Sequence, residues 1–365
     1  MKLEPSGPHM KSKYKVAGLM SGTSLDGLDI ACCVFRKSKL GWNYSIEKQD
    51  TVRYPQQWLK KLSEAHTLGG RDLMAMDAVY GTWLGDVTRD FIQRNSLKVD
   101  FISSHGHTVF HQPAKGFTMQ VGNGYSLHAA SGLPVVCDFR MQDVAFGGEG
   151  APLVPAGDKW LFHQYDVCLN LGGIANLSLD VKGKRLAFDI CFCNMGLNLL
   201  ASEVSKRYDR NGEMASDGAI DSGLLRNLDK IYSKLSAKRP SLGREIFEEQ
   251  IAELLKNKKL SVEDRLCTFT ESVAMEIVKA ITLHKKQAKV LCTGGGAFNS
   301  FLISRMLQQG GDDLTFIIPE DEVVKFKEAM VFGFLGVLRV RNEVNCLKTV
   351  TNASRDTSSG TMIGF

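Results

Sequence analysis

Three loops of the sequence combine glycine with small hydroxyl- or amide-bearing residues, each directly after an apolar strand pattern. They are residues 21–27, 172–176 and 293–299. Glycine lets a backbone approach a ligand closely, and consecutive N–H groups form a concave site for anions. In the third loop the glycines at 294–296 precede a helix pattern, and a helix N-terminus favours phosphate. A single loop of this kind is weak evidence, because tight turns are commonly rich in glycine for steric reasons alone. Three such loops predict a nucleotide-binding site.

Three aspartates accompany these loops. Asp26 and Asp29 lie in or beside the first loop, and Asp189 ends the short strand pattern at 186–188. A carboxylate at a strand end beside a phosphate site binds Mg²⁺ through water or acts as a general base. The alternative for a single such residue, Asp26 in particular, is a turn-capping role. The residue types leave both roles open.

The loops are held by strand pairs. The first loop lies between strand patterns at 15–20 and 28–35, which predicts a β-hairpin and, because no helix pattern follows, argues against a P-loop or a Rossmann turn. A second strand–glycine turn–strand unit, residues 168–180, occurs about 150 residues further along. This repetition predicts a duplicated α/β fold with a cleft between its halves.

Helical patterns fill most of the remainder of the chain, with further strand patterns at 99–104, 289–292 and 316–319. Residues 58–96 carry two amphipathic patterns, residues 196–288 are mostly helical around a polar loop at 208–223, and a long apolar helix is predicted at 325–340. The expected core positions of the first two helices are Leu59, Leu62, Met74, Met76, Val79, Trp83, Leu84 and Phe91.

Composition excludes several classes of protein. The chain has 365 residues, 44% hydrophobic and 23% charged, which indicates a globular protein of about two domains. Its net charge of +5 is too small to indicate nucleic acid or an anionic membrane as partner. No apolar run reaches the length of a membrane span.

The nine cysteines form no regular framework, so we expect small buried thiols in a reducing cytoplasm rather than disulfides or a zinc site. Residues 1–9 have the appearance of a tag or cloning scar and are left out of the fold prediction.

Several motifs, in order from residue 18 to about 336, closely resemble the signature of the anhydro-N-acetylmuramic acid kinase family. The longest are residues 18–29 (GLMSGTSLDGLD) and 147–155 (GGEGAPLVP). The others are residues 104–108, Asp138 to Arg140 with Asp143, 170–176, Tyr208 and Asp209, Gly212, Ala215, Gly218, 241–245, Gly294 to Gly296 with Asn299, and 327–329.

The resemblance implies an α/β fold, the two-domain actin/sugar-kinase/heat-shock-chaperone (ribonuclease H-like) fold with a central ATP cleft. It implies a cytoplasmic, ATP- and Mg²⁺-dependent enzyme of cell-wall sugar recycling that converts 1,6-anhydro-N-acetylmuramic acid to N-acetylmuramic acid 6-phosphate. Partners are then the amino sugar and ATP, in a homodimer, with neither nucleic acid nor membrane. The alternatives are a kinase of another sugar, or an ATP-binding relative without phosphoryl transfer.

The resemblance also implies roles for individual residues. Asp189 matches the general base, and Asp26 the partner of hydrated Mg²⁺. The ATP-binding positions are Gly22, Thr23, Ser24, Leu25, Asp26, Gly27, Leu28, Asp29, Gly172, Gly173, Gly294, Gly295, Gly296 and Asn299. The sugar-contacting positions are His107, Asp138, Arg140, Glu149 and Glu328. For Asp138 and Arg140 an internal ion pair is the alternative.

The sequence departs from the family pattern after the base. Residues 190–193 (ICFC) replace the usual Thr-Gly-Pro-Gly, Asn198 stands where Asp is usual, and His107 and Glu149 stand where Gln is common. We expect Phe192 or Cys193 to narrow the sugar pocket or to displace Asp189. The expected domains are residues 10–135 with 345–365, and residues 136–344.

Overall fold

The computed structural model describes residues 11–22, 25–238 and 241–365, so Thr23, Ser24 and the predicted tag lie outside the described residues. The strands found there are β1 (Lys13–Ser21), β2 (Leu28–Ser38), β3 (Gly41–Val52), β4 (Phe101–Gln112), β5 (Phe117–Val121), β6 (Val135–Cys137), β7 (Val167–Leu171), β8 (Ile174–Val181), β9 (Lys184–Phe192), β10 (Ala288–Thr293), β11 (Leu314–Ile317) and β12 (Thr361–Ile363).

Fourteen α-helices occur in the same described ranges: α1 (Gln56–Glu64), α2 (Gly70–Arg94), α3 (Gly124–Ser131), α4 (Met141–Ala145), α5 (Val154–Leu161), α6 (Asn194–Ser202), α7 (Glu213–Asp217), α8 (Ser222–Lys238), α9 (Arg244–Ile246), α10 (Glu253–Leu255), α11 (Val262–Thr282), α12 (Ser300–Gly310), α13 (Asp321–Val340) and α14 (Lys348–Thr351). A π-helical segment, Phe247–Ala252, joins α9 to α10. Among the helices described, none is both long enough and apolar enough to cross a membrane.

The strands form two sheets that share one five-stranded topology, to which the first sheet adds β5 and β12. In the first sheet the order is β12-β6-β4-β1-β2-β3, with β5 paired to β4. In the second it is β11-β10-β7-β8-β9. Each sheet begins with a three-stranded antiparallel meander, and two later strands then add in parallel beside its first strand. This repeated arrangement is the ribonuclease H-like topology, so the predicted fold is confirmed.

Both predicted glycine hairpins are present. The first joins β1 to β2, with Ser21 opposite Leu28, and the second joins β7 to β8, with Leu171 opposite Ala175. Because β1 and β7 are also the strands that pair in parallel with β4 and β10, each loop leaves the carboxyl end of a central strand. Ligands of open α/β sheets bind at such ends.

Contacts divide the chain into two compact units: the chain as far as Leu161 with Phe326–Phe365, and Phe162–Lys325. The expected boundaries, after residues 135 and 344, both fall inside the first unit. The first unit extends beyond residue 135 because β6 pairs with β4 and with β12. These pairings hold the residues after 135 in the first sheet.

One hydrophobic core of the first unit lies between its sheet and helices α1 and α2. Helix α2 buries one stripe, which includes Leu73, Tyr80 and Leu84. The prediction of a buried Met74 and Val79 is wrong, since their side chains are 61% and 54% exposed. Both lie off that stripe, and apolar character alone did not distinguish the two faces.

Helix α13 packs against the first sheet with direct backbone contact. A Cβ atom on Gly18 of β1 would collide with the carbonyl oxygen of Ala329, and one on Gly336 would lie 2.5 Å from the hydroxyl of Ser103 on β4. Ser103 Oγ in turn donates to the carbonyl oxygen of Phe332 at 2.5 Å. Only glycine permits this approach, so these positions set the distance from helix to sheet.

We expect the substitution Gly18→Ala to lower the free energy of unfolding by about 3 kcal/mol, because the added methyl group forces strand and helix apart. Equilibrium unfolding in urea measures this effect. Gly69→Ala is the matched control, since nothing lies within 4 Å of the Cβ position at Gly69. Equal stability of the two variants would contradict the close approach.

Candidate active site

The first glycine loop turns sharply between β1 and β2. Leu25 has a φ of 58° and its N–H donates to the carbonyl oxygen of Gly22 at 3.3 Å. Gly27 has a φ of 156°, and a Cβ there would lie 2.8 Å from the carbonyl oxygen of Val52. The loop is therefore pressed against the end of β3, and glycine at 27 is a steric requirement.

The two acidic side chains of this loop differ in environment. Asp26 is exposed, whereas Asp29 is half-buried and accepts a hydrogen bond from Thr51 Oγ1 at 2.6 Å. Burial raises the pKa of Asp29, the Thr51 hydroxyl opposes this rise, and the negative charge of Asp26 adds to it. Two mutually repelling carboxylates beside a turn are oxygen donors of the kind that Mg²⁺ prefers, so this loop fits the ion implied by the resemblance.

Arg140 does not form the internal ion pair that was the alternative for it and Asp138. Its Nε donates to His105 Nε2 at 2.9 Å, and its Nη1 donates to the carbonyl oxygen of Gly150 at 2.7 Å. Desolvation lowers the pKa of Arg140 to about 10, which leaves the guanidinium charged at neutral pH. Asp138 is exposed, with a left-handed φ of 54°.

The loop at residues 147–150 is held by a buried carboxylate. Asp143 accepts from the N–H of Gly150 at 2.8 Å and from the hydroxyl of Thr351 at 2.8 Å. Glu149 remains exposed, and its Oε1 accepts from Asn352 Nδ2 at 3.1 Å. Asp143 thus positions the segment that carries Glu149 and the carbonyl group bound by Arg140.

Glu328 lies on α13, next to Lys327. The positive charges of Arg140 and Lys327 attract its carboxylate, and the charge of Asp29 repels it. Lys327 also forms an ion pair with Asp158 at 2.8 Å, with both side chains only 6% exposed. The first unit therefore brings Asp29, Arg140 and Glu328, three predicted positions distant in sequence, into one electrostatic neighbourhood.

The second glycine loop is fastened to the start of α6. The carbonyl oxygen of Gly172 accepts from the N–H of Asn194 at 3.1 Å, and that of Gly173 accepts from the N–H of Cys193 at 2.8 Å. In a trans peptide the N–H points opposite to the C=O. The N–H of Gly173 consequently faces away from the helix, and Gly173 itself is exposed.

The third loop packs against the second. Gly294 has a φ of 82°, and a Cβ there would lie 2.6 Å from Asn170 Oδ1. A Cβ on Gly296 would lie 2.8 Å from that of Leu171. Asn299 is buried, and its Oδ1 accepts from the N–H of Leu302 at 3.0 Å, so it caps α12.

The third loop and the start of α6 border a cavity of about 600 Å³ that lies wholly within the second unit. Tyr208 and Phe298, which are 56% and 37% exposed, line it, and Lys325 Nζ lies 5.3 Å from the centroid of the Phe298 ring. The remaining lining residues are Asn194, Leu197, Asn198, Asp209, Arg210, Asn211, Gly295, Gly296, Asn299 and Asp321.

Sequence reasoning assigned no role to Phe298, Asp321 or Lys325. Tyr208 and Asp209 were among the motifs of the resemblance, which was a usable signal for this cavity. Asp321 and Lys325 carried none, because they form an i, i+4 ion pair of the kind found on any exposed helix.

Asp189 lies on β9 opposite Asn176 of β8. Its side chain is half-buried, and its Oδ2 accepts from the N–H of Leu242 at 2.9 Å. Desolvation raises the pKa of Asp189, and this single hydrogen bond opposes the rise. A carboxylate with a raised pKa is a stronger proton acceptor than an ordinary surface aspartate.

The expectation that Phe192 or Cys193 narrows a sugar pocket is wrong. Both side chains are completely buried in the core of the second unit, together with Cys191. Phe192 packs edge-on against Phe247 with ring centroids 5.2 Å apart. The unusual sequence after the base is a set of core residues. The nine cysteines are thiols rather than disulfides, and eight of them are buried, Cys137 being the partly exposed one.

The sequence model of the family described as anhydro-N-acetylmuramic acid kinase matches residues 14–364. The chain belongs to this family. The anhydro-N-acetylmuramic acid kinase of Sulfurimonas denitrificans is 31% identical over 94% of this chain and 97% of its own length. That of Vibrio cholerae is 32% identical over 96% of this chain and 98% of its own length.

Family membership confirms the resemblance and, with it, the expected class of ATP-dependent amino-sugar kinase. Among solved structures, the activator of the 2-hydroxyisocaproyl-CoA dehydratase from Clostridium difficile aligns with a TM-score of 0.43 at 12% identity, over 90% of this chain and 97% of that chain. A likeness at this level adds nothing to the assignment, which depends on the family match.

The cap at Asn299 leads to a prediction. Asn299→Ala should lower the free energy of unfolding by about 1 kcal/mol, because the N–H of Leu302 loses its acceptor, whereas Asn299→Asp should retain it. Denaturant unfolding without nucleotide measures the difference. Equal loss in both variants would show that Asn299 contributes through something other than its cap oxygen.

Proposed function

We propose that this protein is an ATP-dependent kinase that hydrolytically opens 1,6-anhydro-N-acetylmuramic acid and phosphorylates O6, giving N-acetylmuramic acid 6-phosphate and ADP. The family match over nearly the whole chain carries this proposal. The geometry of each unit supports it through a nucleotide-sized cavity, a carboxylate suited to act as a base, and a loop suited to phosphate and metal.

The second unit would hold the nucleotide. A cavity of about 600 Å³ lies in the range of small-molecule sites, and its exposed Tyr208 and Phe298 offer aromatic surface to a purine ring. Gly294, Gly295, Gly296 and Asn299 would flank the adenosine and the α-phosphate. The outward N–H of Gly173 would donate to a phosphate oxygen, as predicted for the loop at Gly172 and Gly173.

Asp189 would act as the general base. It takes a proton from water, the water oxygen attacks C1 of the sugar, and the bond from C1 to O6 breaks. O6 then forms a bond to the γ-phosphorus of ATP as the bond to the β-phosphate oxygen breaks, which releases ADP. Desolvation assists the first step, since the raised pKa of Asp189 strengthens it as a proton acceptor.

The first unit would supply phosphate, metal and sugar contacts. The turn at residues 22–29 would bind phosphate oxygens, and Asp26 would hold hydrated Mg²⁺ beside Asp29. Bound Mg²⁺ supplies neutralisation of phosphate charge, on which phosphoryl transfer depends. His107, Asp138, Arg140, Glu149 and Glu328 remain the proposed sugar contacts, and the charged guanidinium of Arg140 suits the carboxylate of muramic acid.

The proposal places the enzyme in the cytoplasm, where its nine cysteines remain reduced. A homodimer is part of the same proposal. Sedimentation equilibrium tests it, and a monomer at micromolar concentration would refute that part alone.

The proposed function predicts release of ADP from Mg-ATP that depends strongly on 1,6-anhydro-N-acetylmuramic acid. A coupled ADP assay measures it, with N-acetylmuramic acid and N-acetylglucosamine as control sugars. Stimulation by a control sugar alone would indicate a different sugar kinase. Binding of ATP with no stimulation by any of the sugars would indicate a relative without phosphoryl transfer.

For the base, Asp189→Asn should lower kcat by about 10³-fold, because the amide keeps the hydrogen bond to Leu242 but cannot accept the proton. ATP affinity should stay nearly unchanged. The exposed Asp217→Asn on α7, in the same unit, is the matched control and should behave as wild type. Turnover of Asp189→Asn within a few-fold of wild type would show that Asp189 is not the base.

The pH dependence should report the same group. A base must be ionised, so kcat should fall as pH decreases through the pKa of Asp189. Because desolvation raises that pKa, the fall should occur above the value near 4 of an ordinary aspartate. A profile of kcat against pH under saturating substrates measures this, and a fall only below pH 4 would contradict it.

A further inference from the structure

A buried hydrogen-bonded cluster in the first unit surrounds His107, and its other three members have no role in the mechanism above. Ser21, the last residue of β1, lies at its centre. Ser21 Oγ lies 2.9 Å from His107 Nδ1, accepts from Tyr54 OH at 2.6 Å and accepts from Tyr80 OH at 3.1 Å. The two tyrosine hydroxyls are also 2.9 Å apart. None of these four side chains is more than 6% exposed.

The protons of this cluster can be counted. A serine hydroxyl has one proton to donate and two lone pairs to accept with. Tyr54 and Tyr80 are each the donor in their contact with Ser21, and one of their two protons can instead bridge the 2.9 Å between their own oxygens. In either case neither tyrosine oxygen accepts from Ser21, so the Ser21 proton is donated to His107 Nδ1. A neutral imidazole that accepts at Nδ1 carries its proton at Nε2.

His107 is neutral under ordinary conditions. Burial lowers the pKa of His107 to about 4, so the imidazolium is negligible at neutral pH. Burial and the positive charge of Arg140 hold the pKa of the neighbouring His105 well below its usual range, so that ring is neutral as well. His105 Nε2 accepts from Arg140, so its proton is at Nδ1, facing the carbonyl oxygen of Gly106. The two histidines therefore have opposite tautomers.

The backbone explains how two neighbouring histidines serve different partners. The parallel pairing of β1 with β4 runs from Leu19 opposite Ser104 to Ser21 opposite His107, so β4 contains one extra residue there. Gly106 has a φ of 73° in this bulge, and a Cβ on it would lie 2.7 Å from the carbonyl oxygen of Val121. Bulges of this kind re-aim side chains.

The tyrosine hydroxyls are held in place by aromatic packing. Tyr80 stacks on Trp83 with ring centroids 5.7 Å apart, and Trp58 packs on Tyr80 at 5.0 Å. Tyr54 lies 5.5 Å from Trp83 by the same measure. The donors to Ser21 thus sit in a rigid frame.

We propose that Ser21, Tyr54 and Tyr80 are positioning residues that lock His107 as the Nε2–H tautomer, a fixed hydrogen-bond donor at the base of the first glycine loop for an oxygen of the sugar substrate. The tautomer follows from the cluster alone. The role toward the sugar rests on the proposed function, under which His107 contacts that substrate.

Nitrogen-15 NMR of histidine-labelled full-length protein tests the tautomer without any substrate. His107→Gln removes one of eight histidine signals and so assigns it. We expect a pyridine-like Nδ1 and a pyrrole-like Nε2 for His107, unchanged between about pH 6 and pH 8, well above its pKa. A pyrrole-like Nδ1 in the wild-type protein would overturn the proposal.

Variants test the cause. In the double variant Tyr54→Phe, Tyr80→Phe, Ser21 loses both donors, and we expect the Nδ1–H tautomer to become populated. Tyr125→Phe, whose side chain is 68% exposed, is the matched control and should leave His107 unchanged. A double variant that folds and retains the single wild-type tautomer would refute the positioning role. If it does not fold, Ser21→Ala replaces it and should shift the Nδ1 resonance by removing its donor.

Kinetics test the consequence for the sugar. His107→Leu should raise KM for the anhydro sugar about tenfold with KM for ATP changed less than twofold, whereas His107→Gln, which keeps an N–H donor, should stay within about threefold of wild type. An equal rise of KM for the anhydro sugar in His107→Leu and His107→Gln would refute the donor role of His107. If the wild-type protein shows no sugar-dependent turnover, the proposed function fails, and the NMR result still decides the tautomer.

Discussion

The backbone contact between β1 and α13 is the constraint on which the first unit depends. Gly18 lies at the middle of β1, against the carbonyl oxygen of Ala329 and beside Gly333. Three residues later the same strand ends at Ser21 and enters the first glycine loop. Immediately before Ala329, α13 carries Lys327 and Glu328. A side chain at Gly18 would therefore shift Ser21 and the loop that follows it relative to Lys327 and Glu328.

In the second unit, glycine permits a similar close packing, here between two loops instead of between a strand and a helix. Gly294 and Gly296 let the third loop lie directly on Asn170 and Leu171, at the end of β7. Carbonyl oxygens of the second loop are used by the start of α6, which turns the N–H of Gly173 outward. In both units glycine serves mainly to bring backbone against backbone. The exposed N–H groups that suit a phosphate are a consequence of that packing.

Two of the departures from the family pattern, residues 190–193 and His107, lie at buried positions of the fold. The Ile-Cys-Phe-Cys segment after Asp189 places all four side chains in the core. Asn194, which follows it, still donates to the carbonyl oxygen of Leu171 at 3.0 Å. His107, where glutamine is common, is neutral and held by Ser21. At both positions hydrogen-bonding groups are retained, namely the amide of Asn194 and the imidazole of His107.

Local patterns in the sequence were sufficient for the two hairpins, the positions of the glycine loops, the helices α1 and α2, and the family. These depend on neighbours in the chain: strand alternation, turn residues and motif spacing. Three features could be read only from the tertiary structure: the exposure of Met74, the burial of Phe192 and the boundaries of the two units. Each of them depends on which surfaces of the chain pack together.

The hydrogen-bond partners and protonation states of the polar side chains also depend on the tertiary structure. That Arg140 binds His105 rather than Asp138, and that Ser21 meets two tyrosines 33 and 59 residues away, follows only when β1, β4 and α2 are assembled. Sequence determined which chemical groups exist and which turns carry them. Tertiary structure decided their protonation and partners, because desolvation and hydrogen bonding act through space between residues that the chain order does not bring together.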